Sequence, residues 1–498
     1  MFQNTASPTL DGLFRRILAR QPGALALVDP PDKMRINGQA PRRMTFAQAD
    51  RAISRLAAHF VASGLPPHSI IAVQLPNTVE FALTLLAAHR AGLVVALIPQ
   101  LWRHAELTDA LNRVGARAIV SCGWIDGVSH ADLIMNAAVE AFSIRHVCGF
   151  GSDLPKGMIP LDVIMGDDQG PPPIVALDAR HAAMISFDIT TAGLLAVPRT
   201  HLNLIAGGLA VFLESGVAQG ATILAAQTMA SFGGVAASLV CWLLSGGTLV
   251  LHHPFDGEIL ERQLVDLHCD TLVAPAPLAM RFGEDEALLR SHALHHVISL
   301  WRSPEQVASS PRWPTGHARL TDVYLFGEAG LFGARRGDDG AAADIGPGPY
   351  GAPRDDAQSP IAGEIVVTDN GTLALRGSMV PLAAYSATTR ESEHGSPPTT
   401  CVDTGYAVRT DRTTGALCIT APPPGILAVG GYRFQADDLQ AWSKRLGDGA
   451  TLTALPDRLS GHRLAGRAND NARARGALAE LGLNPLMVEA FRDRLGQG

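Results

Sequence analysis

Residues 182–204 read AAMISFDITTAGLLAVPRTHLNL, and how this stretch divides decides the fold. The apolar run Ala182–Ser186 lies in a strand expected at 181–187. Phe187–Val197 reads as a loop with Thr190 and Thr191 at its centre. Apolar residues then recur at helical spacing over 203–215. Strand, loop and helix in that order are the unit of an α/β sheet.

The same alternation extends in both directions. Helical spacing over Phe46–Ser63, Thr78–Ala91 and Ala105–Val114 is separated by strand-like runs at Ser69–Leu75, Val94–Ile98 and Ala118–Ser121. It resumes at 221–225, 235–244, 248–252, 259–267 and 271–274. Strands joined through helices of this length imply right-handed crossovers and a mostly parallel, helix-covered sheet. Gly333–Ser359 and Ser386–Thr400 read as exposed loops from their Gly, Pro and polar content. Ala362–Leu375 reads as a β-hairpin turning at Asp369-Asn370-Gly371, and Thr413–Thr420 as a further strand. Pro422-Pro423-Pro424 marks a stiff linker. The expected class is α/β: a large N-terminal domain (1–421) of helix-covered, mostly parallel sheets with a small β-rich subdomain, then a short α+β C-terminal domain (422–498).

The chain has 498 residues, 47% apolar and 17% charged, with a net charge of −7. That balance suits a globular interior and argues against nucleic acid as a partner. Only Lys33, Lys156 and Lys444 are lysines among 40 basic residues. Six cysteines without CxxC spacing make a reducing cytoplasm the expected compartment. Met229–Leu251 is uncharged and long enough to cross a bilayer. Gly246-Gly247 interrupts it, so it reads as a buried helix and strand, with no membrane span expected.

Six further segments resemble motifs of the adenylate-forming acyl-CoA synthetase superfamily. Met44-Thr45-Phe46 resembles its early L-T-Y segment, and Arg90-Ala91-Gly92 through Pro99 its K-x-G-x-x-x-x-P turn. Tyr324-Leu325-Phe326-Gly327-Glu328 resembles Y-G-x-T-E, Asp403-Thr404-Gly405-Tyr406 resembles T-G-D, and Gly430-Gly431-Tyr432-Arg433-Phe434 resembles G-G-Y/F. Asp437-Asp438-Leu439 resembles the helix start that follows. Phe187–Val197 with Thr200-His201-Leu202-Asn203-Leu204 is similar to the phosphate loop TSGTTGxPKGV and its TH-x-NL helix.

The resemblance implies a two-step ligase. A small carboxylic acid attacks ATP with Mg2+ to give acyl-AMP, and a thiol of CoA or an acyl carrier protein then displaces AMP. On this alignment Thr190 and Thr191 contact phosphate, Tyr324 stacks on adenine, and Glu328 is the metal ligand. Phe232 and Gly233, in an Ala230-Ser231-Phe232-Gly233 segment similar to H-x-F-G, shape the acyl pocket. Asp403 either holds the ribose or caps its own turn.

The departures are equally specific. Leu195 stands at the loop lysine, and Ile189, Ala192 and Ala196 stand at its glycines. Glycine lets such a loop turn its N–H groups onto phosphate, and a β-branched residue resists that geometry. Trp301, in Ser299-Leu300-Trp301-Arg302, falls where glycines leave room for adenine. Tyr406 replaces the ribose Asp, the proline run replaces the hinge, and no lysine follows Lys444. Losing one positioned charge-stabilising donor costs roughly 10²–10³ in rate, so two independent losses leave roughly 10⁴ to recover. The residues therefore leave two readings: a ligase with impaired adenylation, or a non-catalytic relative acting as a ligand-binding or partner subunit. No catalytic residue is assigned.

Overall fold

The computed structural model describes residues 8–166, 178–253, 256–285, 289, 293–351, 362–385, 387–390, 399–458 and 460–492. Two large sheets carry the chain. The eight-stranded sheet is ordered 330–335, 319–326, 296–301, 271–275, 222–225, 248–251, 25–28, 43–45, and is parallel except at its two edges. The seven-stranded sheet is ordered 193–200, 182–190, 94–97, 70–74, 118–122, 146–150, 159–160, with one antiparallel pair at the 193–200 edge. Both sheets are covered by helices, which is why Val94–Leu97 and Ala118–Cys122 are buried at every position.

The Val79–Arg90 helix joins the two sheets. All twelve of its residues are buried, so it has no polar face, and each charged group it carries needs a partner inside the protein. Glu80 accepts from Lys33 Nζ at 2.6 Å, and Lys33 also reaches Asp29 at 2.7 Å. Asp29 in turn accepts from the Val79 amide at 2.8 Å, tying the helix to the edge of the eight-stranded sheet. At the other end Arg90 pairs with Asp11 and Asp50. His89 Nε2 lies 3.0 Å from the Ala183 carbonyl of the seven-stranded sheet.

Most expected elements stand within a residue or two of their sequence boundaries. Met229–Leu251 is a buried helical segment, with a π-helical stretch at Val235–Val240, followed by the strand Thr248–Leu251. Among the described residues no helix is long and apolar enough to cross a membrane. The hairpin at 362–375 is present as Gly363–Val367 paired with Thr372–Gly377, within a third, six-stranded antiparallel sheet.

Two expected loops are corrected. The start of 333–359 continues the strand Gly330–Arg335, and Gly348–Tyr350 pairs with Gly363–Ile365; residues 352–361 lie outside the described residues. Within 386–400, Ala387–Arg390 pairs with Thr399–Val402, while 386 and 391–398 lie outside them. Polar, β-branched strands at a sheet edge resemble loops in composition, and pairing is what reveals them. Residues 426–491 form two small hairpins and three helices around a hydrophobic cluster of their own, centred on Leu439, Leu478 and Phe491.

Burial holds the His89 imidazole down to about 4, with the Ala183 bond and Asp11 pulling the other way. The folded value lies below the unfolded one of about 6.5, so this stabilisation is complete above pH 6.5 and is lost as pH falls towards 4. The stability advantage of the wild type over His89→Gln should therefore shrink by roughly 3 kcal/mol between pH 7 and pH 4. Urea unfolding of both proteins across that range measures it.

Candidate functional site

Phe187–Val197 is not a loop. Strand Ala182–Thr190 runs straight into a two-residue turn, Thr191-Ala192, and returns as Gly193–Thr200. Asp188 faces Leu195 in the register, and Thr190 faces Gly193. Of residues 187–197 only Gly193 has a positive φ, +100°, so the β-branched Ile189 keeps an ordinary extended backbone. The turn satisfies itself: the Thr190 hydroxyl donates to the Gly193 carbonyl at 3.1 Å and accepts from the Ala192 amide at 3.2 Å. Gln435, from the C-terminal region, donates to the Thr190 and Thr191 carbonyls at 2.7 and 3.0 Å. Amides consumed by strand pairing are not available to cradle a phosphate.

Asp188 is the centre of the site, and sequence reasoning passed over it. Its buried carboxylate accepts from the Glu328 amide at 2.9 Å and the Tyr385 hydroxyl at 2.7 Å, and pairs with Arg433 at 3.0 Å. Arg433 also donates to the Tyr406 hydroxyl at 2.9 Å. Burial alone would lower the Arg433 guanidinium, but Asp188, Tyr406 and Tyr385 together outweigh it and hold the group above its ordinary value. Gly327 makes this pairing possible. A Cβ there would stand 2.2 Å from Arg433 Nη1 and 2.4 Å from Asp188 Oδ2, so the threonine of the resembling motif does not fit.

Glu328 is equally committed. Its Oε2 accepts from the Phe232 amide at 2.9 Å and lies 3.7 Å from Arg199 Nη1. Arg199 is fully buried, donates to the Ser186 hydroxyl and the Glu328 carbonyl, and lies 3.8 Å over the Phe232 ring. Burial pushes the Glu328 carboxyl up, with Arg199 pulling it back, and burial pushes the Arg199 guanidinium down. A carboxylate holding one amide and one guanidinium inside the protein is a poor ligand for Mg2+, which demands near-octahedral oxygen geometry.

The remaining expected residues are scattered. Tyr324 is 2% exposed and its ring stacks on Phe332 at 4.6 Å. It neighbours Trp301, whose indole donates to Asp322 at 2.7 Å. A ring already stacked on Phe332 and shut from solvent offers adenine no platform. Asp403 accepts from Thr372 Oγ1 at 2.9 Å and from the Gly405 amide at 2.8 Å, so it caps its own turn. Phe232 lies under Arg199, and Gly233 lies against Leu325, with no room for a Cβ; neither lines the wall of the adjacent cleft. Their neighbours Ala230 and Ser231 do.

That wall belongs to a cleft whose aromatic side is Trp102, Phe187 and Tyr432, and whose polar side is Asp188, Arg302 and Glu328. It is narrow. Its cavity volume is about 60 Å³. Tyr432 and Arg433 reach it from the C-terminal hairpin, with the Tyr432 hydroxyl accepting from the Leu101 amide at 3.4 Å.

A model of the AMP-binding enzyme family matches residues 14–347. The 2-hydroxy-7-methoxy-5-methyl-1-naphthoate–CoA ligase of Streptomyces carzinostaticus is 26% identical over 469 residues, spanning 89% of this chain and 80% of that protein. Among solved structures, the apo structure of Mycobacterium smegmatis MbtA superposes with a TM-score of 0.65 at 21% identity, covering 95% of this chain and 88% of that one. An artificially fused adenylation–PCP di-domain, NpsA-ThdA from Klebsiella oxytoca, gives 0.70 at 16% identity, covering 97% and 93%. These two likenesses are of fold.

Replacing Arg433 with Met leaves Asp188 buried without its counter-charge, a loss of about 3–5 kcal/mol. Urea unfolding should show the loss as a lowered midpoint. The double variant Asp188→Asn with Arg433→Met should recover part of the wild-type stability, because the uncompensated charge is gone.

Proposed function

The chain belongs to the AMP-binding enzyme family, and we propose that within it the protein binds a small carboxylic acid while forming acyl-AMP slowly or not at all. The family's ligases generally join an acid to CoA or a carrier-protein thiol using ATP and Mg2+. One observation supports the departure from that activity: Asp188, inside the segment that resembles the phosphate loop, is buried in a strand pair and paired with Arg433. Paired in this way, Arg433 offers a phosphate no net positive charge.

Three further contacts support the reading. The Thr190 turn is closed by its own hydroxyl and by Gln435. Glu328 is held by the Phe232 amide and Arg199. Tyr324 is covered by Phe332. We take 422–424 as the joint between the two proposed domains. Pro423 lies against Gly405, where a Cβ would come within 3.2 Å of it, so rotation at this joint is restricted.

The acid is proposed to carry an aromatic ring. The cleft wall of Trp102 and Phe187, whose rings lie 5.3 Å apart, suits a flat ring. The Streptomyces carzinostaticus relative is named for a naphthoate. A second reading, a working aryl acid–CoA ligase, is favoured by that relative's alignment over most of both chains.

ATP–pyrophosphate exchange with benzoate, salicylate, ferulate and hexanoate separates the two. The proposal predicts exchange at or below one ten-thousandth of a competent ligase's rate, from two or more independent lost donors at roughly 10² each. Exchange at an ordinary ligase rate with any of these acids overturns it in favour of the second reading.

A further inference from the structure

Four of the five charged groups in the cleft region are mutually engaged: Asp188 with Arg433, and Glu328 with Arg199. Arg302 is the exception. Its Nη2 donates to the Ser231 hydroxyl at 2.7 Å, and its buried Nε has no hydrogen-bond partner. It forms no ion pair with any described carboxylate. Arg302 is half-buried and lines both the aromatic cleft and the neighbouring one bounded by Leu300, Trp301 and Pro277, so its guanidinium, without a contacting carboxylate, borders space that an anion can enter.

We propose that Arg302 is the residue that recognises the carboxylate of a small aromatic acid, the ligand supplying the counter-charge that the protein withholds. The assignment rests on the acid-binding reading above. The charge of the surroundings selects a monoanion. Asp188 and Glu328 are matched by Arg433 and Arg199, so the one remaining positive charge, on Arg302, is balanced by a monocarboxylate and exceeded by a polyanion such as pyrophosphate. In this arrangement the carboxylate meets Arg302 on the polar side of the cleft, and the ring lies against Trp102, Phe187 and Tyr432 on its aromatic side. Arginine suits the task because its planar fork meets both carboxylate oxygens. Its ring-side neighbours supply apolar area without competing charge.

Calorimetric titration of the full chain with benzoate and 1-naphthoate, without ATP, tests this on the wild type, Arg302→Gln and Arg302→Lys. Methyl benzoate serves as the uncharged control. Arg302→Gln should weaken acid binding at least tenfold and Arg302→Lys by less, while methyl benzoate binds wild type and Arg302→Gln alike. Melting temperatures within a few degrees of wild type establish that the variants fold; Arg302→Lys carries the test if Arg302→Gln does not. Acid binding that survives both substitutions overturns the role of Arg302 and leaves the acid-binding reading standing. Absence of binding by the wild type overturns both. Pyrophosphate binding that depends on Arg302 overturns the monoanion assignment.

Discussion

The buried pair between Asp188 and Arg433 is the constraint from which the character of the site follows. It joins a strand of the seven-stranded sheet to a hairpin of the C-terminal region, 245 residues apart in sequence. A buried ion pair gains little net stability, because desolvation offsets most of the attraction. Its value is specificity: either charge left alone is strongly unfavourable, so each fixes the position of the other. Tyr385, Tyr406 and the Glu328 amide complete the coordination and leave the carboxylate little freedom.

Several departures from the family's motifs become one event when viewed through this pair. An acid at 188 needs a cation, and Arg433 supplies it. The cation needs space, and Gly327 supplies that by lacking a Cβ. Tyr406, in place of an aspartate, offers Arg433 a neutral oxygen rather than a second negative charge. Residues 188, 327, 406 and 433, far apart along the chain, are spatially one cluster.

Much of the fold was legible in the sequence, because parallel strands buried on both faces are short apolar runs and their helices have clear periodicity. The completely buried Val79–Arg90 helix was placed within one residue at each end. The 187–197 segment was misread because glycine-poor loop and hairpin turn differ mainly in pairing register, which sequence spacing does not reveal. At the site, Glu328 and Asp403 were legible as residues, but the partners that occupy them were not, since Phe232, Arg199 and Thr372 are distant in sequence. Asp188 and Arg433 were visible in the quoted motifs. What signalled them was an acid inside an apolar strand, a position that demands a buried partner.

The proposal that the protein's own groups exclude the triphosphate is tested most directly by calorimetric titration with MgATP at millimolar concentration. No binding heat from the wild type, with measurable binding once Asp188 is changed to Ser and Arg433 to Lys together, is the predicted result. Micromolar MgATP binding by the unaltered protein would contradict the account.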